Sequence, residues 1–129
     1  MAKTSLEVCV FTISNDTIAK ALEKLHAKGV KVRIISDDES AKNKGSDIFT
    51  MAAKGIPTRT DTNPNAHMHN KYVIIDNKIL ITGSFNWTWQ AVSANQENLL
   101  IVEKEDLVRR YKDSFEKLWT QFANGAVKN

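Results

Sequence analysis

The stretch from His69 to Asn86, HNKYVIIDNKILITGSFN, concentrates the side chains that could do chemistry. It opens on His69-x-Lys71 and closes on Gly83-Ser84-x-Asn86. On a strand, residues two apart project to one face, so His69 and Lys71 are expected side by side. Asp76 has the opposite parity and falls at a turn, which predicts a structural role for it. Gly83 permits a close backbone approach. Ser84 and Asn86 offer a hydroxyl and an amide near the point where two strands pair. An imidazole, an ammonium, a hydroxyl and an amide together suit a phosphoryl group. Lys71 supplies fixed charge, Ser84 and Asn86 supply neutral donors, and His69 is a nucleophile or an acid–base group.

Those residues need elements to hold them. His69 to Ile75 alternates and then turns apolar, which predicts a strand; Asp76-Asn77 is a turn, and Lys78 to Thr82 returns as a hairpin. Upstream, Leu6 to Ile13 is a β-branched, apolar run and reads as a buried strand. Asp16 is expected to cap a helix through Lys28, with Ile18, Ala21, Leu22 and Leu25 on one face and Gly29 as the stop. Val30 to Ile35 is a second strand, so the first three elements form a βαβ unit with a parallel pair. The polar run Asp37 to Ser46 reads as a loop, followed by a short helix over 47–54 and a short strand over 56–60. Glu97 to Val102 is the last strand. A final helix over 104–122 carries an apolar stripe of Leu107, Val108, Tyr111, Phe115, Leu118, Trp119 and Phe122.

The 129 residues are 42% hydrophobic and 26% charged, with a net charge of +3. That is ordinary globular composition for one domain over 1–129 and excludes a mainly disordered chain. The single cysteine, Cys9, excludes an intrachain disulfide framework and a cysteine-rich zinc site. Met1 to Ser5 has no apolar leader, and no run approaches the ~18 apolar residues of a membrane span, so the expected compartment is cytoplasmic. Mild basicity permits anionic partners, either phospholipid surfaces or nucleic acid.

The spacing as a whole resembles the HKD signature of the phospholipase D superfamily: His69-x-Lys71, four residues, Asp76, six residues, then Gly83-Ser84-x-Asn86. Ser84-Phe85-Asn86-Trp87-Thr88 and Asn95-Gln96-Glu97-Asn98 are similar to the small single-motif branch. That branch contains bacterial HKD nucleases and the Zucchini-type mitochondrial cardiolipin hydrolases. The resemblance implies an α/β fold with a central mixed sheet flanked by helices. Members usually carry one more strand and helix ahead of Ala2, which this chain is expected to lack. Zucchini-type proteins also carry an amino-terminal anchor and a Cys/His zinc insertion, neither visible here.

What the resemblance implies for mechanism is a two-step displacement with no cofactor and no metal. One histidine forms a covalent phosphohistidine, and a second protonates the leaving oxygen and then deprotonates water. His69, Lys71, Asp76 and Glu97 fall at the catalytic positions, with Lys71, Ser84 and Asn86 on the phosphate. Glu97 is expected to accept a hydrogen bond from His69, and Asp76 keeps its place in the signature beside its structural reading. The chain has three histidines. His26 reads as a surface or boundary residue and His67 as a loop residue. The second imidazole is therefore expected from His69 of another copy in a homodimer. Phospholipase D action on glycerophospholipid head groups is the leading expectation, with Trp87 and Trp89 as apolar aromatics near the site. The alternative is an endonuclease using Lys42, Lys44, Lys54 and Arg59 as phosphate contacts.

Overall fold

A computed structural model describes residues 2–128. In chain order the elements are β1 (Ser5–Val10), β2 (Ile13–Ser14), α1 (Asp16–Ala27), β3 (Lys31–Ser36), α2 (Asp38–Lys42), α3 (Ile48–Ala53) and β4 (Thr58–Thr60). Then follow β5 (Lys71–Ile75), β6 (Ile79–Gly83), β7 (Trp87–Thr88), α4 (Trp89–Ser93), β8 (Leu99–Val102), α5 (Glu105–Gln121) and a 3-10 turn (Ala123–Gly125). The main sheet has six strands in the order β4-β3-β1-β5-β6-β8. β1, β3 and β4 run parallel, and β5, β6 and β8 join antiparallel. This is the mixed sheet that the sequence predicts.

Strand alternation sends two apolar sets to opposite faces. Val8, Val10, Val32, Ile34, Val73 and Ile75 pack with Ala19 and Leu22 of α1 and Ile48 and Met51 of α3. Cys9, Ile35, Tyr72, Ile74 and Leu80 pack with Val108, Phe115 and Phe122 of α5 and its continuation. The result is a helix–sheet–helix sandwich. Leu107, expected in the stripe of α5, lies at the surface.

Several boundaries differ from the sequence reading, each for a local reason. The first strand stops at Val10 because the Ser36 hydroxyl donates to the carbonyls of Val10 (2.9 Å) and Phe11 (3.1 Å), diverting the chain from the ladder. Ile13–Ser14 instead pairs in parallel with Trp87–Thr88 in a separate ribbon. The helix α1 is capped by Asn15, not Asp16: Asn15 Oδ1 accepts from Ile18 N–H at 3.1 Å. Asp16 sits in the first turn, where its charge suits the helix dipole. The run expected as a loop contains α2, because the Asp37 carboxylate accepts from Ser40 N–H at 3.0 Å and starts a helical turn. β5 begins at Lys71 and β8 at Leu99, so His69 and Glu97 both lie just outside strands. Trp87 packs against the core cluster that α1 and α3 cover.

Candidate active site

The β1–β5 register pairs Val10 with Lys71, so the chain leaving β1 and the chain entering β5 meet at one end of the sheet. Phe11 N–H donates to Asn70 O at 2.8 Å, which extends that meeting by one step. His69 is therefore fixed by backbone pairing although it precedes the strand. Lys71 Nζ lies 3.3 and 3.4 Å from the two ring nitrogens of His69 and donates to His69 O at 2.9 Å. The expected proximity of His69 and Lys71 holds, with His69 in the loop rather than on the strand.

On the neighbouring strand β6, Gly83 brings the β8 side close. A Cβ on Gly83 would sit 2.0 Å from Asn98 O, so only glycine fits there. The approach sets Ser84 against Glu97: Ser84 Oγ donates to Glu97 Oε1 at 2.5 Å and accepts from Asn98 N–H at 3.1 Å. Asn95 Nδ2 donates to Glu97 Oε2 at 3.2 Å. His69, Lys71, Gly83 and Ser84 line a shallow cavity of about 420 Å³, closed on one side by Tyr111 of α5. Asn86 is oriented from β1's end, since Thr12 N–H donates to its Oδ1 at 3.2 Å. That contact assigns the amide and leaves Nδ2 as the outward donor.

Burial pushes the Lys71 ammonium below its ordinary range, and the nearby Glu97 charge opposes the shift. One expectation needs correction here. Among the described residues Glu97 is held by Ser84 and Asn95, not by His69; its link to the pair is the charge it places near Lys71. The Ser84 hydroxyl donates its hydrogen bond to Glu97. The physical reason is the tight Gly83 crossing, which brings the loop before β8 within reach of Ser84 before it reaches His69.

Asp76 lies at the other end of β5, five residues beyond Lys71 and so roughly 17 Å away at strand rise. This position agrees with the structural role that its parity predicts and sets it apart from His69 and Lys71. Asp76 accepts from the backbone N–H of Thr4 (2.8 Å), Lys3 (3.0 Å) and Ser5 (3.1 Å) and from the Thr4 hydroxyl (3.0 Å). These donors, led by Thr4 N–H, hold its carboxyl well below the usual carboxylate range. Asp76 and Asn77 both have positive φ, 54° and 56°, which an Asx pair tolerates in a tight hairpin.

Sequence reasoning missed Phe11 and Asp37. The Phe11 ring centroid lies 4.7 Å from that of His69 and 5.5 Å from that of His67, and Lys71 Nζ is 5.2 Å from it. Only pairing the end of β1 against Asn70 would have found it. Asp37 Oδ1 lies 3.2 Å from His67 Nδ1, so His67 is tied into the fold rather than free in a loop. Of the basic residues considered for phosphate, Lys42, Lys44 and Lys54 are exposed. Arg59 is not available: it stacks on Trp119 at 4.2 Å and donates to the Trp119 carbonyl. Trp89 is 69% exposed. No helix among the described residues is long and apolar enough to cross a membrane.

A family model described as the PLD-like domain of cardiolipin synthase matches residues 1–119. A mitochondrial cardiolipin hydrolase from Chlamydomonas reinhardtii is 48% identical over 121 residues, covering 94% of this chain and 54% of that protein. The human mitochondrial cardiolipin hydrolase is 41% identical over 121 residues, covering 94% of this chain and 48% of its own length. The chain thus spans about half the length of the curated relatives it matches. Among solved structures, the phospholipase D family member Nuc from Salmonella typhimurium superposes with a TM-score of 0.91 at 30% identity, covering 99% of this chain and 84% of Nuc.

Proposed function

The chain belongs to the phospholipase D superfamily, and from that premise we propose that it is a phosphodiesterase of the phospholipase D type, acting on glycerophospholipid head groups. The observation that carries this reading is the convergence of His69, Lys71 and Ser84 with its Glu97 partner at one cavity. His69 attacks phosphorus, the N–P bond forms and the P–O bond to the head-group alcohol breaks. A second imidazole gives its proton to the leaving oxygen. The same imidazole then takes a proton from water, whose oxygen displaces His69 and restores the enzyme. Lys71 Nζ and Asn86 Nδ2 donate to the non-bridging oxygens, so side chains alone neutralise the developing charge. Glu97 opposes the effect of burial on the Lys71 ammonium and is itself steadied by Ser84.

The second imidazole is His69 of another copy. What supports a homodimer is the free edge of the sheet next to the site. β8 ends the strand order and carries Leu99 (54% exposed), Leu100 (60%) and Ile101 (67%). An exposed apolar edge strand is a template for pairing, and Leu99 pairs with Gly83, one residue from Ser84. An isologous contact along this side carries both copies of His69 toward one phosphorus. The lipid reading is favoured by two relatives named mitochondrial cardiolipin hydrolase and by exposed Trp89, a residue suited to a lipid–water boundary.

A nuclease reading has one observation of its own: the net charge of +3, with Lys42, Lys44 and Lys54 at the surface. One metal-free preparation decides between them. It is assayed on vesicles of phosphatidylcholine, phosphatidylglycerol and cardiolipin, and on single- and double-stranded DNA and RNA. Head-group release with nucleic acids left intact is expected; cleavage confined to nucleic acid would reverse the assignment. Sedimentation of the active species is expected to give a dimer, and an active monomer would remove the shared-site mechanism.

A further inference from the structure

We propose that His67 contacts substrate as a specificity residue: its Nε2 accepts a hydrogen bond from a hydroxyl on a glycerol-type head group next to the scissile phosphate. The inference rests on the lipid phosphodiesterase reading and adds to it which head groups the site prefers.

The carboxylate that orients His67 is fully buried at 0% exposure. Asp37 accepts from Met68 N–H and Ser40 N–H, both at 3.0 Å, so the backbone fixes both of its oxygens. His67 Nδ1 lies 3.2 Å from the oxygen that Met68 also uses. A carboxylate can only accept, so Nδ1 carries the proton of the neutral ring and Nε2 carries the lone pair. Half of the His67 side chain is exposed, at 50%. Because Nδ1 turns toward a buried partner, the accessible edge is the Nε2 edge.

The ring also has a fixed place relative to the reacting pair. It meets Phe11 edge-on at 79°, while Phe11 meets His69 at 53°. One aromatic ring thus separates a preset acceptor from the residues that hold phosphorus. A lone pair there repels a phosphate oxygen and attracts a hydroxyl proton. The group it suits is a hydroxyl on the alcohol attached to that phosphate, not a second phosphate. Asp37 would already cap α2 and hold Met68 without His67, so its third contact serves to orient the imidazole.

The test uses the full chain and matched vesicles of phosphatidylglycerol, whose head group carries hydroxyls, and phosphatidylethanol, whose head group carries none. The wild-type protein is expected to favour phosphatidylglycerol in kcat/KM. His67→Phe, which keeps the contact with Phe11, is expected to lower the phosphatidylglycerol-to-phosphatidylethanol ratio about tenfold, the scale of one hydrogen bond to substrate. His67→Gln, whose carbonyl can accept, is expected to recover part of that ratio. An unmoved ratio in His67→Phe, with wild type active, overturns the inference and leaves the lipid reading standing. Loss of preference for RNA over matched DNA with the lipid ratio unmoved also overturns it. A wild type that cleaves neither lipid overturns the lipid reading and this inference with it.

Discussion

Strand β5 carries signature residues at both ends, and the two ends are built differently. At the Lys71 end the polar groups are exposed or half-buried, and His69, Lys71 and Ser84 line a cavity. Among the described residues the ring nitrogens of His69 meet Lys71, and Thr12 N–H holds the Asn86 Oδ1. At the Asp76 end every feature closes a structural account. One carboxylate gathers the N–H groups of three consecutive residues, and two left-handed residues make the hairpin. The contrast teaches that a single sequence signature can join two unlike constraints. His69-x-Lys71 sets an imidazole beside an ammonium, whereas the gap to Asp76 is the length of the strand that links this pair to its anchor.

The sharpest way to break this contrast is to remove one group from each end. His69→Asn is expected to lower hydrolysis by roughly 10,000-fold, as when a nucleophile is lost, with the thermal midpoint nearly unchanged in calorimetry. A surviving rate above a few per cent in pure mutant protein would dissolve the distinction. Next in size is Glu97→Gln, which removes the charge near Lys71 and loosens Ser84. Its expected cost is at most about 100-fold in kcat, the scale of a misplaced reacting group, read in steady-state kinetics. Asp76→Asn keeps a residue that tolerates positive φ and removes the charge. It is expected to leave kcat per folded molecule unchanged while costing about 1 kcal/mol of stability by urea titration, the net scale of one hydrogen bond.

The smallest effect compares two carboxylates whose proton affinities are shifted in opposite directions. Asp76 is held low by its donors, so its contribution is present at neutral pH and is lost as pH falls through the acidic range. Asp47, at the start of α3, is pushed up to about 6 by burial and by the neighbouring Asp16. Its folded state holds the proton more tightly, so stability is gained as pH falls through about 6. Asp47→Asn is therefore expected to raise the melting temperature at pH 8 and to leave it little changed at pH 4. Equal shifts at both pH values would contradict the assignment.

Much of the layered fold was legible from periodicity. The apolar alternation of β1, β3 and β5 and the stripe of α5 each reflect a face buried against a helix layer. The elements that were not legible depend on single side chains acting over long sequence distances. Ser36 ends β1 from 26 positions away, and Asp37 starts α2 where polarity alone suggested a loop. In the site, the proximity of His69 and Lys71 could be read from their spacing, whereas Asn86 takes its orientation from Thr12, 74 positions away. The partners of Glu97 could not, since they depend on how closely Gly83 lets two backbones pass. Phe11 and the Asp37–His67 pair arise from the crossing of β1, β3 and the segment before β5, which no local pattern encodes.

If His69 bonds covalently to phosphorus during turnover, that bond can be trapped. Protein mixed with phosphatidylglycerol vesicles is quenched in base within the first turnover, digested, and mapped by mass. A phosphatidyl adduct is expected on the peptide bearing His69 and is expected to be absent in His69→Asn. Full hydrolysis with no adduct on any residue, or an adduct on another side chain, would contradict it.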